Sequence, residues 1–125
     1  MFSFFGLFGR SREQQRLDHA LRDAGIHPRL VPEAIKLTTL KLLKESGEQA
    51  ADHECAAAAE ILVYCLLGPG VYAEQNGGIR TDAAEARIEA AIVAEHSLDA
   101  RLVLLTLHAG LTQSEVIERF GLRSD

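Results

Sequence analysis

Residues 55–67 read CAAAAEILVYCLL: four alanines, Glu60, then seven consecutive apolar residues, closed by Gly68-Pro69-Gly70. Alanine is the strongest helix former, and a helix with almost no polar face must be covered on every side. The stretch therefore predicts a buried central helix, running about 48–67, with alanines that let neighbouring helices approach closely. Thirteen residues fall short of the roughly 20 that a membrane-spanning helix needs.

On either side of it the apolar residues recur at helical spacing and no alternating strand pattern appears. Ser11 and Gln14 form a capping box before a stripe of Leu17, Ala20, Leu21 and Ala24, and Gly25 supplies a left-handed stop. Pro32 opens a second helix with Ile35, Leu37, Leu40, Leu42 and Leu43 inward and Lys36, Lys41 and Lys44 outward. Pro69 starts a short helix to Gln75, ended by Asn76-Gly77-Gly78. Asp82 with Glu85 caps the next, whose stripe is Ala84, Ile88, Ala91 and Ile92. Ser97 breaks that helix from a following one carrying Leu98, Leu102, Leu105 and Ala109. Thr112 with Glu115 caps the last, with Val116, Ile117 and Phe120 inward. These readings predict an all-α fold: a single-domain bundle of five to six helices around a central Ala-rich helix (about 48–67), with residues 11–125 as one helical domain.

The chain has 125 residues and a net charge of −5, enough length for its own core and the wrong sign for indiscriminate nucleic-acid binding. The charge is unevenly placed. Residues 10–44 carry eight basic and four acidic groups, whereas residues 45–99 carry two basic and eleven acidic groups. Such a division can steer partners or favour head-to-tail self-association; its plainer use is a solvated surface. Cys55 and Cys65 lie ten residues apart on one helix, about 15 Å of rise, too far for a disulfide. Both are read as buried, reduced thiols of a cytoplasmic protein. Residues 1–9 lack the basic start and small-residue cleavage site of a secretory signal.

The first eight residues hold four of the five phenylalanines. Phe2, Phe4, Phe5, Leu7 and Phe8 precede Arg10, Arg12 and Arg16. An aromatic plug with a basic collar is expected to pack on the fold or on a partner, since large apolar patches rarely stay exposed. Residues 1–12 also have the composition of a peripheral membrane anchor.

Two constellations are candidates for chemistry. Glu60 and Tyr64 are i,i+4 on the most apolar helix, with His53 seven residues earlier, so the three share a face. A buried carboxylate beside a phenol and an imidazole is an acid/base or ligand site, or Glu60 is locked by an arginine such as Arg87 or Arg101. Glu95, His96 and Asp99 cluster near a corner, where Asp99 suits the positive end of a helix. The histidines lack metal-ligand spacing, so no metal or cofactor is expected, and no nucleophile motif is present. The tail GLTQSEVIERFGLRSD, residues 110–125, resembles the first half of a helix-turn-helix. The resemblance covers sixteen residues, stops before a recognition helix, and brings no expectation of DNA binding; Arg119 and Arg123 are the cations nearby.

The sequence thus points to a non-enzymatic protein-interaction or self-association module, a homo-oligomer or a binder of a protein partner, with the Phe-rich terminus at the contact. The alternative is a small-molecule- or metal-binding bundle using His53, Glu60 and Tyr64, joined by His96 or His108 from facing helices. A peripheral membrane adaptor is the third reading.

Overall fold

The computed structural model describes residues 11–47 and 51–122. Among the described residues it contains seven α-helices and one 3-10 turn. They are α1 (Arg12–Ala24), the turn Pro28–Leu30, α2 (Glu33–Glu45), α3 (Asp52–Leu67), α4 (Pro69–Asn76), α5 (Gly78–Val93), α6 (Leu98–His108) and α7 (Ser114–Phe120). The fold is all-helical as expected. The count is seven rather than five to six, with the short helix expected from Pro69 running through Asn76 and counted in full.

Helix α3 is the hub, packed by α1, α4, α5 and α6. Ile61, Leu62, Val63, Tyr64 and Cys65 are wholly buried; each buried aliphatic side chain contributes about 1.5–3 kcal/mol relative to exposure. The covering is incomplete in the first half of the helix, where Ala56 is exposed and Glu60 half-buried. Its described start is Asp52 rather than residue 48, with Glu54 Oε1 accepting the Ala51 N–H at 2.8 Å; residues 48–50 lie outside the described residues.

Helix α1 follows its sequence pattern. The Ser11 hydroxyl accepts the Gln14 N–H at 3.1 Å and Gln14 Oε1 accepts the Ser11 N–H at 3.2 Å. Leu17, Ala20, Leu21 and Ala24 are buried, and Gly25 adopts the left-handed conformation at φ 113°. Helix α2 buries four of its five expected inward positions, Ile35, Leu40, Leu42 and Leu43, and departs from expectation at Leu37 and Lys36. Leu37 is 48% exposed while Lys36 is buried, its Nζ 3.2 Å from Asp18 and 3.5 Å from Glu33. Thr39 joins the buried leucines on the inward face. The Asp18 carboxylate on α1 lets a lysine end occupy a position that an apolar count would give to leucine.

Two expected caps do not form. Helix α5 starts at Gly78, behind Gly77 at φ 87°, so Asp82 and Glu85 both lie inside the helix; only one glycine separates α4 from α5. At α7, Thr112 Oγ1 donates to Thr106 at 3.2 Å and Gln113 takes the N-cap position. Gln113 is held there by the end of α3: its backbone N–H donates to the Cys65 carbonyl at 2.9 Å and its Nε2 to the Leu66 carbonyl at 3.0 Å. The break between α5 and α6 falls where expected, with the Ser97 hydroxyl accepting the Ala100 N–H. Among the described residues no helix is long and apolar enough to cross a membrane.

Candidate functional site

Glu60 sits on the outward edge of α3 and meets an arginine. Its Oε1 accepts from Arg87 Nη1 at 3.2 Å. Arg87, on α5, also donates to both carboxylate oxygens of Asp99 on α6, from Nη2 at 2.8 Å and from Nε at 3.0 Å. One guanidinium thereby ties three helices. The fork geometry matches a carboxylate, so the pair with Asp99 is the directional one. Asp99 is in the first turn of α6, where the helix N-terminus also favours its charge.

Tyr64 shares the face of Glu60 but turns into the core. It is wholly buried, and its Oη donates to Glu85 Oε2 at 2.7 Å. The other oxygen of Glu85 accepts from Arg119 of α7 at 3.4 Å. Burial, and then the bond to Glu85, push the Tyr64 phenol well above its ordinary value, so it is a proton donor in a fixed bond. Its ring lies edge-on to Tyr72 at 5.5 Å and to Phe120 at 6.2 Å, the arrangement aromatic quadrupoles prefer. Among the described residues the buried Tyr72 hydroxyl has no hydrogen-bond partner; burial and the Glu60 carboxylate push its pKa up.

His53 stands at the solvent end of α3, its side chain 83% exposed, with Nε2 3.6 Å from Glu54. His53 and Glu60 both line a groove of about 440 Å³ between α1 and α3, together with Arg16, His19, Asp23 and Arg80. The structure thus brings His53 and Glu60 to one groove, while Tyr64 engages a separate set of partners. His96 and His108 are exposed. Among the described residues no group of three or more His, Cys, Asp or Glu side chains is placed to hold a metal ion.

A second groove, of about 230 Å³, runs between α5, α6 and the end of α7. Ile88, Ala91 and Val103 are buried at its base, while Ile92 and Leu104 are 47% and 41% exposed. Phe120 and Leu122 close one side, and Glu95 is the charged residue on its lining. Val93, beside Ile92, is 86% exposed. Sequence reasoning assigned Ile92 to the core and missed this face. The available signal was the adjacent pair Ile92-Val93, which cannot fit one inward stripe. The roles of Glu85 and Arg119 left no such signal, because they depend on how α7 returns to α3. Phe2, Phe4, Phe5, Leu7 and Phe8 lie outside the described residues.

No protein-family model matches this chain, and neither a curated protein nor a solved structure matches it.

Proposed function

We propose that this chain is a self-associating protein-interaction module, with the aromatic segment Phe2–Phe8 at the contact. The observation that carries the reading is the exposure of Ile92 and Leu104 on the groove between α5, α6 and α7, with Val93 exposed beside Ile92. Contiguous apolar surface of this kind marks interaction sites, and aromatic side chains are the usual anchors of such contacts. The charged groups around the central helix support it from the other side. Arg87 is engaged with Glu60 and Asp99, Arg119 with Glu85, and the Tyr64 phenol is committed to Glu85, which is how a structural frame uses such residues. The two buried thiols fit a reducing compartment such as the cytoplasm. Light scattering on the full chain and on a chain lacking residues 2–8 tests the reading. The deletion lowers the mass in solution; an equal mass for both overturns it. Pelleting of the full chain, but not of the deleted one, with anionic vesicles would move the contact to a membrane surface.

The groove shared by His53 and Glu60 favours a second reading, a small-molecule site. Its alanine floor at Ala20, Ala24 and Ala56 lies under side chains of both charge signs, which suits a small polar ligand. Thermal-shift measurements with inorganic phosphate and with small dicarboxylates test it. A shift abolished by Arg80→Ala supports the site, and no shift with any of these probes removes it.

A further inference from the structure

We infer that the apolar groove between α5, α6 and α7 receives the Phe2–Phe8 segment of a second copy of this chain. The inference rests on the self-association reading and adds the place where the segment lands.

The groove has the right chemistry for aromatic side chains. Its base is aliphatic, its walls are Ile92 and Leu104, and Phe120 lines one side. A phenylalanine entering it would leave water together with apolar surface that the single chain leaves wet, the arrangement that makes a central aromatic anchor dominate an interface.

Charge fixes the orientation. Arg10 and Arg12 follow the aromatic run directly, and the groove carries Glu95 on its lining with Glu89 exposed one turn before Val93. Phenylalanines in the groove place the arginines beside these carboxylates. The same match holds on the larger scale, between the basic 10–44 stretch and the acidic 45–99 stretch, and such complementarity sets register and partner choice.

The other grooves fit the segment less well. The one beside Ser11 sets Leu37 and Leu40 among Glu13, Lys41, Lys44 and Glu45, and Lys44 already pairs with Glu13 at 2.9 Å. Its lysines would oppose Arg10 and Arg12. The groove between α1 and α3 is walled by charged side chains. Within one chain, moreover, α2 packs between α1 and α6 and is joined to the start of α1 through Glu13–Lys44 and Gln14–Glu33. Exchange between two copies is reciprocal: each donates one segment and accepts one, which closes a two-fold dimer.

The test uses the full chain and two groove substitutions, Ile92→Glu and Leu104→Glu, with Ile79→Glu as a control at an exposed apolar position outside the groove. All three sites are exposed, and circular dichroism verifies that each variant keeps its helices. Sedimentation analysis is expected to show a dimer dissociation constant changed little by the control and raised at least about tenfold by either groove carboxylate, the effect of setting an unpaired charge against an apolar pocket. A synthetic peptide of residues 1–10, added in excess, converts the full-chain dimer to monomer. If deleting residues 2–8 lowers the mass but both groove variants remain as dimeric as the unsubstituted chain, the groove is not the receptor, and the self-association reading stands without it. If the deletion leaves the mass unchanged, both fail. A monomeric full chain whose groove is blocked to the peptide would show the segment seated in its own chain and would overturn the exchange.

Discussion

Arg87 on α5 and Asp99 on α6 face each other through two parallel hydrogen bonds of 2.8 and 3.0 Å, and the same guanidinium reaches Glu60 on α3 at 3.2 Å. Replacing Arg87 with methionine keeps much of the side-chain volume and leaves two carboxylates facing each other. Their side chains are 36% and 26% exposed, between the surface and buried limits, so we expect a loss of about 1–3 kcal/mol. Urea unfolding measures it. In a double-mutant cycle with Asp99→Ala, the two losses are expected not to add; simple additivity would contradict the coupling.

Tyr64 and Tyr72 differ in what their hydroxyls do, so the same substitution should act with opposite sign. Tyr64→Phe removes the bond to Glu85 at 2.7 Å and should cost about 1.5–3 kcal/mol, the range for bonds to charged groups. Tyr72→Phe removes a buried hydroxyl that has no partner among the described residues and should be neutral or stabilising. Thermal unfolding of the two variants side by side checks the difference; equal destabilisation would contradict it.

The thiols predict a pH effect. Burial raises Cys55 and Cys65 from an ordinary value of 9.0 to about 11. A folded-state pKa above the unfolded one means that the folded chain holds its protons more tightly. The stabilisation is fully present below pH 9 and is lost as pH rises toward 11. We expect the unfolding free energy to fall across that window, and to fall less in a Cys55→Ala/Cys65→Ala chain. At neutral pH a thiol reagent should label neither cysteine until the protein unfolds; rapid labelling of the native chain would contradict the burial.

Much of this fold was legible where one local rule acts alone. The Ser11–Gln14 box, the α1 stripe, the Gly25 stop and the Ser97 break are each decided within a few residues of sequence, and each stands as read. Two failures share a cause: a distant partner outbid the local rule. Lys36 is buried because Asp18 on another helix accepts it. Thr112 yields the cap to Gln113 because the end of α3 holds Gln113 in place. Glu85, left inside α5 by the earlier start at Gly78, becomes an acceptor for Tyr64 and Arg119. The candidate face was half legible. The partnership of Glu60 with Arg87 was one of the two arginine pairings anticipated, while the engagement of Tyr64 with α5 and α7 depends on tertiary geometry that spacing along α3 does not contain.

Gly68 and Gly77 occupy nearly the same backbone conformation, φ 87° with ψ 167° and 166°, a region essentially confined to glycine. Either alanine substitution should cost about 1–3 kcal/mol. Gly68→Ala should cost more, because its Cβ would lie 3.2 Å from Glu115 Oε1 whereas nothing stands within 4 Å at Gly77. Denaturant midpoints of the two variants check the order; equal midpoints would show that the α7 contact does not constrain the α3–α4 corner.

The central claim is that the aromatic segment of one copy makes the contact with another. A photo-crosslinking phenylalanine analogue in place of Phe4, activated in the full chain, tests it most directly. We expect covalent dimers whose linked peptides map to α5 and α6 around Ile92 and Leu104. Links confined to the segment's own chain, or no dimer at concentrations where the mass in solution is that of a dimer, would contradict it.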